Sequence, residues 1–330
     1  MKYIDLHIHL DGSLPPETIV KLAELSGYRL PADSPEALRP YLTVGAGCTD
    51  LNEYLRKFGI PLKVLQRADC LELAAYDLLR ALSAQGVIYA EPRFAPGSHC
   101  ARGLTQAQVT EAVLSGLKQG MRDFPIRANL ILCCMRGADN HAANLETVRV
   151  AAGYRDKGVC CIDLAGAEAL FPTREHGYIF DEAKRLEMPF IIHAGEAAGP
   201  DSVRAALDFG ARRIGHGIAA ASDPALLEQI RREKVPLEVC VTSNVQTKSV
   251  PDAAHHPIVN LLEQGIPVTL NTDNMTVSDT TLEGEFALVR RTFGLTPRQE
   301  RQLLENAVNA AFLSAGEKSD LGQKLLEDVQ

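Results

Sequence analysis

The chain has 330 residues, 46% of them hydrophobic and 23% charged, with a formal net charge of −8. This is the composition of an ordinary globular protein, and it excludes disorder over most of the chain. The acidic balance and the absence of tryptophan argue against a nucleic-acid partner, which needs a basic surface and often stacking aromatic rings. No run of about 18 unbroken apolar residues occurs. We therefore predict that no segment spans a membrane and that the protein does not bind one.

The eight cysteines indicate a reducing compartment. No C-x-x-C pair occurs, and the adjacent pairs Cys133-Cys134 and Cys160-Cys161 lie in apolar runs, where cysteine acts as a small hydrophobe. The N-terminus reaches the charge of Asp5 and the histidine pair His7 and His9 too early for the apolar region of a secretory signal peptide. We therefore expect a cytoplasmic protein without disulfides.

Short apolar runs alternate with amphipathic stretches along the whole chain. The runs predict eight strands, at residues 3–9, 87–94, 127–135, 159–165, 189–193, 212–216, 236–241 and 266–272. Helical spacing of apolar residues predicts helices at 15–25, 70–82, 104–124, 145–155, 174–186, 201–209, 223–232, 257–263, 281–291 and 297–313.

This alternation predicts an α/β fold, a (β/α)8 TIM barrel formed by residues 1–330 as a single domain. Residues 15–85 are too many for one crossover helix, so we expect extra helices inserted after the first strand, over the barrel mouth. The alternative is a doubly wound open sheet, although no G-x-G-x-x-G follows the first strand.

Metal-binding side chains end three of the predicted strands. His7 and His9 are two apart on a strand and therefore point to the same face, while His193 ends the fifth strand and Asp273 the eighth. The carboxyl ends of barrel strands open on one face, where barrel enzymes have their sites. Three imidazoles and a carboxylate are typical zinc ligands, so we predict one Zn2+, or another divalent ion, at His7, His9, His193 and Asp273.

Glu196 and His216 follow the fifth and sixth strands and remain available near this metal as an acid and a base. Each residue alone also has an ordinary explanation: Glu196 as a solvated side chain, His216 as a core histidine, Asp273 as a helix cap. The remaining five histidines fall in predicted loops or helices, and we expect them at the surface: His99, His141, His176, His255 and His256.

Taken together and in order, these segments resemble the adenosine deaminase family of the amidohydrolase superfamily. The matching segments are HIHLDG at 7–12, YAEPRF at 89–94, LAG at 164–166, HAGE at 193–196, RIGHG at 213–217, SN at 243–244 and TD at 272–273. The resemblance implies a zinc-activated water that converts a purine nucleoside, adenosine or 2′-deoxyadenosine, to inosine or deoxyinosine plus ammonia in purine salvage.

The resemblance also implies roles for individual residues. Glu196 would protonate purine N1, and His216 would take up or orient the proton of the attacking water with Asp273. The N–H of Gly166 would bind purine N3, and Asp11 would accept a hydrogen bond from the ribose 5′-hydroxyl, with His9 also beside the substrate. These roles are chemically consistent, because attack at C6 moves charge onto N1 and a buried Glu is the more readily protonated.

Two positions depart from the family pattern, and two other features indicate the substrate and the number of bound metal ions. Asn274 replaces a frequent aspartate that contacts purine N7; its amide can donate to N7, but it can also simply cap a turn. Ala167 replaces a frequent acidic residue. Asp11 is shorter than the glutamate of relatives that act on free adenine, which favours a nucleoside. The fourth strand lacks the lysine that bridges two metals in other superfamily members, which favours one metal.

Several alternatives stay open from the sequence. The protein can instead deaminate adenine or a modified adenine nucleoside, hydrolyse another cyclic amide or ester with the same metal, or bind nucleosides without catalysis. Glu91 and Arg93 are expected to form an ion pair inside the barrel. Residues 51–58 form either an apolar lid beside the ribose or part of the core.

Overall fold

Parallel strands form the centre of the fold. A computed structural model describes residues 1–45 and 47–326 of the chain. One sheet contains β1 (Tyr3–His9), β2 (Val87–Phe94), β3 (Arg127–Ala128), β4 (Leu130–Met135) and β5 (Val159–Ala165), and the other β6 (Ile192–Ala194), β7 (Ile214–His216), β8 (Leu237–Val239) and β9 (Val268–Leu270). Parallel bridges from Ile162 to Phe190 and from Ile8 to Asp273 connect the two sheets into a closed barrel.

The predicted (β/α)8 TIM barrel is confirmed, and its deviations from the predicted strands are local. The predicted third strand is two strands because Asn129 interrupts it, donating from Nδ2 to the Tyr89 hydroxyl at 3.1 Å and to the Phe312 carbonyl at 3.3 Å. The last four strands are each three residues long, shorter than predicted, and the predicted 236–241 strand ends before Val241, where a helix begins.

The helices cover the outside of the barrel and fill the long insert. The insert holds α1 (Pro16–Ser26), α2 (Pro35–Leu42), α3 (Leu51–Leu55), α4 (Gly59–Val64) and α5 (Ala68–Ala84). The others are α6 (Gln106–Asp123), α7 (His141–Gly153), α8 (Gly177–Arg185), α9 (Pro200–Phe209), α10 (Pro224–Glu233), α11 (Val241–Gln246), α12 (Ile258–Glu263), α13 (Leu282–Phe293), α14 (Pro297–Ala310) and α15 (Ala315–Leu326). The extra helices predicted after the first strand are therefore present.

The helix α6 shows how the sequence defines an element and its packing. Thr105 accepts a hydrogen bond from the Gln108 amide, and the Gln108 side chain accepts one from the Thr105 amide, which forms a capping box at the helix start. Gly116 lies where α6 crosses α5, and a Cβ there would be 2.1 Å from the Glu72 carbonyl oxygen. Glycine is therefore required for this close helix crossing.

The amino ends of the strands are closed by the last helices. Ile4 and Leu6 of β1 pack against Val308 of α14 and Leu321 of α15 in one buried cluster. The helix α15 extends beyond the last predicted element. Within residues 1–45 and 47–326, no helix combines the length and apolar character needed to cross a membrane. The opposite end of the barrel, where the strands end, is left for the candidate site.

Candidate functional site

Four side chains predicted as metal ligands converge at the carboxyl ends of the strands. His7, His9, His193 and Asp273 each offer a ligand atom, and these atoms lie within 4.8 Å of one another. The Nε2 atoms of His9 and His193 are 3.3 Å apart, and Asp273 Oδ1 is 3.5 Å from His7 Nε2 and 3.3 Å from His9 Nε2. The buried His7 Nε2 has no hydrogen-bond partner within the described part of the chain. Converging nitrogen and carboxylate lone pairs fit a cation such as zinc.

Buried acidic and hydroxyl groups orient three of these four side chains. His7 Nδ1 is 2.8 Å from Glu238 Oε2, and His193 Nδ1 is 2.8 Å from Asp163 Oδ2. Because each Nδ1 faces a carboxylate, each Nε2 turns toward the candidate metal position. Ser243 donates to Asp273 Oδ2 at 2.6 Å, which leaves Oδ1 for the histidines.

Two of the site residues have unusual backbone conformations. His216 has φ of +58° and Asp273 has φ of +63°, in the left-handed region that residues other than glycine seldom adopt. His216 is the last residue of β7, and Asp273 lies three residues after β9, where it forms the bridge to Ile8. Such strain persists where the surrounding structure holds it, and it concentrates at functional sites. Here it turns both side chains inward.

Glu196 and His216 form the candidate acid and base beside the metal position. Glu196 Oε2 is 3.5 Å from His216 Nε2, and both residues are buried. Burial raises the pKa of Glu196 well above its ordinary value, and the negative charges of Asp273 and Glu168 raise it further. Burial also lowers the pKa of His216 well below its ordinary value. Burial thus favours a protonated carboxyl on Glu196 and an uncharged imidazole on His216.

The proton position on His216 follows from its neighbours. Asn244 Nδ2 donates to His216 Nδ1 at 3.0 Å, and Asn244 Oδ1 is 3.2 Å from His256 Nε2. With Nδ1 accepting, the neutral His216 ring carries its proton on Nε2. That N–H points toward the space between Glu196 and the metal position.

A cavity of about 180 Å3 joins these groups to the remaining predicted substrate residues. His9, Asp11, Gly166, Glu196 and Asn274 all line it. A larger cleft, of about 880 Å3, lies at the other end of the barrel and contains none of the predicted site residues. Size alone would therefore have identified the wrong place.

The insert contributes an apolar wall to this cavity, formed by Leu51, Tyr54, Leu55, Phe58 and Leu62. Tyr54 is also buried, and its hydroxyl is 2.7 Å from Ser278 Oγ. Residues 51–58 thus contribute to a buried cluster and also border the cavity, and their role as a lid beside the ribose stays a prediction.

The expectation of surface positions was wrong for three of the five remaining histidines. His99, His176 and His256 are buried, whereas His141 and His255 are exposed. Each buried ring has a polar partner: His99 Nδ1 donates to the Leu65 carbonyl at 2.9 Å, and His176 Nδ1 to the Pro172 carbonyl at 3.1 Å. The position of a histidine in a predicted loop or helix does not reveal whether its ring will be buried.

The expected ion pair between Glu91 and Arg93 was also wrong. Arg93 pairs with Asp163 at 2.9 Å and Glu238 at 2.8 Å, and Arg213 pairs with Glu91 at 2.5 Å. These ion pairs join strands that are not adjacent in the sheets and cross the barrel interior, so Glu91 and Arg93 reach different partners. The two arginines link the buried carboxylates that orient the metal-binding histidines.

Sequence reasoning missed the residues that support the site: Asp163, Glu168, Glu238, Ser243 and Asn244. A signal existed for two of them, because Asp163 and Glu238 are acidic residues inside otherwise apolar strands. Ser243 and Asn244 were recognised only as part of the family resemblance, without a role. Glu168, in the loop after β5, had no sequence signal.

Comparison with known proteins agrees with this geometry. A family model described as adenosine deaminase matches residues 3–328. The adenosine deaminase of Haemophilus ducreyi is 48% identical over 96% of this chain and 94% of its own, and that of Enterococcus faecalis is 42% identical over 98% and 95%.

Solved structures show the same barrel at lower identity. The adenine deaminase of Arthrobacter aurescens superposes with a TM-score of 0.87 at 27% identity, over 99% of this chain and 98% of that one. The N6-methyl-AMP deaminase of Arabidopsis thaliana gives 0.83 at 26% identity, over 99% and 96%. Since both the family model and the relatives span almost the whole chain, this protein belongs to the adenosine deaminase family.

Proposed function

We propose that the protein is a zinc-dependent enzyme that hydrolyses adenosine and 2′-deoxyadenosine to inosine and deoxyinosine, releasing ammonia. The observation that carries this proposal is a buried Glu196 with a raised pKa in the same cavity as four converging metal-ligand atoms. A protonated carboxyl beside a metal suits deamination of a ring amidine, because the ring nitrogen must gain a proton while C6 is attacked. A simple cyclic amide has no ring imine nitrogen to protonate during attack; its proton is needed later, at the leaving amine nitrogen.

In this proposal His7, His9, His193 and Asp273 hold one zinc ion, supported by a nitrogen-rich ligand set that zinc prefers. When bound, zinc lowers the pKa of a water molecule and supplies hydroxide at neutral pH. The described strand β5 contains no lysine that could bridge a second ion. We therefore propose one zinc ion per chain.

The protein residues then position the substrate and move its protons. Glu196 donates its proton to purine N1 as C6 is attacked, and burial favours the protonated form of Glu196 that can do so. His216 directs its Nε2–H at the attacking oxygen, which favours orientation of the nucleophile over removal of its proton. Asp273, whose second oxygen is held by Ser243, accepts a proton from the nucleophile.

The substrate contacts are proposed from the cavity lining. The amide N–H of Gly166 binds purine N3, Asn274 donates to N7, and Asp11 accepts from the 5′-hydroxyl, with His9 beside the ribose. Asp11 leaves room for a ribose, which favours nucleosides over free adenine. The relatives named adenosine deaminase, at 40–48% identity, support this choice over the more distant adenine deaminase.

We also infer that the whole chain acts as one domain in the cytoplasm. One buried core cluster contains residues from Tyr3 to Leu303, which supports a single folding unit. Buried thiols such as those of Cys133 and Cys161 suit a reducing compartment.

The proposal is tested by incubating the zinc-loaded protein with adenosine, 2′-deoxyadenosine and adenine, and identifying the products by chromatography. We expect inosine and deoxyinosine, and little hypoxanthine from adenine. Glu196→Gln should reduce kcat about 10²–10⁴-fold, because the amide cannot donate a carboxyl proton. Turnover of adenine without turnover of adenosine would contradict the nucleoside assignment and point to Asp11 and Asn274 as misinterpreted.

A further inference from the structure

Glu168 binds the loop that carries Glu196. Its carboxylate accepts hydrogen bonds from four successive backbone amides, those of Gly195 at 2.6 Å, Glu196 at 3.0 Å, Ala197 at 2.7 Å and Ala198 at 3.0 Å. Ser202 Oγ at the start of α9 donates to the same group. Glu168 is 2% exposed, so water cannot replace it as an acceptor for these donors.

The Glu168 carboxylate is thus the hydrogen-bond acceptor for the backbone of the 195–198 loop, which forms neither helix nor strand. Successive amides that point to one side form a concave group of donors, which fits an anion. Charge-assisted hydrogen bonds are about twice as strong as neutral ones. Removing the carboxylate would leave several buried N–H groups unpaired, and the loop would have to rearrange to satisfy them.

Glu168 also lies between the two groups that face the purine. It is two residues after Gly166, in the loop that follows β5, and it holds the amide of Glu196 in the loop that follows β6. The distance between these two loops determines whether an N–H at purine N3 and a carboxyl at purine N1 can be engaged together. A displacement of about 1 Å at such a point can cost about 10²-fold in rate.

We propose that Glu168 is a positioning residue that places Glu196 for proton transfer to the purine by anchoring the 195–198 loop to the end of β5. This inference rests on the proposed function, because it assigns Glu168 to the same reaction. Glu168 does not line the Glu196–His216 cavity that holds the substrate, so it acts through Glu196.

A double-mutant cycle with adenosine as the substrate tests this inference. Glu168→Gln keeps the side-chain size but turns an NH2 group toward backbone donors, and we expect kcat/KM to fall about 10²-fold, mainly through kcat. In the Glu196→Gln background the same change should cost less than about threefold, because the group it positions is already absent. Zinc content should stay at one per chain in all four proteins.

Two further variants distinguish a loss of Glu196 positioning from general damage to the fold. Ser202→Ala removes one donor to the same carboxylate, and it should lower kcat/KM about 2–10-fold, again only when Glu196 is present. Glu300→Gln is a matched control, since this buried carboxylate pairs with Arg290 at 2.7 Å on a helix remote from the cavity; its kcat/KM should equal that of the wild type.

The outcomes distinguish failure of the positioning role of Glu168 from failure of the proposed deaminase activity. Equal losses with and without Glu196, or an unchanged Ser202→Ala variant, would overturn the inference while leaving an active wild type. Absence of inosine formation by the wild type would overturn the proposed function, and the inference with it.

Discussion

Replacement of Glu238 by glutamine should weaken both the fold and the metal centre. Glu238 is fully buried, and its Oε2 accepts from His7 Nδ1 and from Arg93, each at 2.8 Å, while Oε1 accepts from Arg213 at 2.5 Å. Burial opposes ionisation of Glu238, but Arg93, Arg213 and the hydrogen bond from His7 hold its pKa below the ordinary range. Glu238 is therefore an anion that accepts hydrogen bonds from three donors at once.

The magnitude follows from these three contacts. Glutamine offers an oxygen on only one side, so at least one of the three donors must face the new NH2 group. A hydrogen bond to a charged group contributes about 1.5–3 kcal/mol, and each arginine keeps one other carboxylate, Asp163 or Glu91. We expect the free energy of unfolding of the metal-free protein to fall by about 2–4 kcal/mol. Zinc affinity should fall about 10–100-fold, because His7 loses the group that orients it.

Urea unfolding of the metal-free protein measures the first effect, and competition with a zinc chelator measures the second. Glu300→Gln serves as the control, since its partner Arg290 is 47% exposed and such a pair contributes about 0–1 kcal/mol. A Glu238→Gln protein that binds zinc within about threefold of the wild type would refute the claim that Glu238 orients His7.

Three further predictions concern the cavity. Glu196→Gln should stabilise the metal-free protein near neutral pH. The raised pKa of Glu196 means that the folded state binds a proton that the unfolded chain releases. Wild-type stability therefore declines as the pH rises above the ordinary glutamate pKa of about 4.3, whereas glutamine does not titrate. Urea midpoints that coincide at pH 4 and do not separate at pH 7 would contradict this. Asn274→Ala should lower kcat/KM for adenosine about tenfold but leave 7-deazaadenosine unaffected, because that analogue lacks N7; equal losses on both nucleosides would exclude the N7 contact. Gly12→Ala would place a Cβ 1.8 Å from Asn274 Oδ1, so we expect at least tenfold loss of kcat/KM, and full activity would show that Asn274 can move freely.

The sequence was sufficient for the barrel and for the residues that end its strands. Apolar runs buried on both faces are visible in any parallel barrel, and His7, His193 and Asp273 come together because all strands end on one side. Glu196 and His216 were found for the same reason.

The supporting interactions were not predictable in the same way. Arg93 reaches Asp163 and Glu238 across the barrel interior, and His99 is buried with its Nε2 3.8 Å from Asp11 Oδ2. These contacts depend on which strands face each other across the barrel and on how far each side chain extends. Spacing along the chain specifies neither. Glu168 illustrates the same limit, because its partners are backbone amides of a loop that any sequence would supply.

The most direct test of the central claim is to titrate zinc into the metal-free protein and to follow inosine formation from adenosine. We predict no inosine without metal and a rate that rises linearly to one zinc per chain and then stays constant. Full turnover by the metal-free protein, or a rate that continues to rise to two zinc ions per chain, would contradict the central claim.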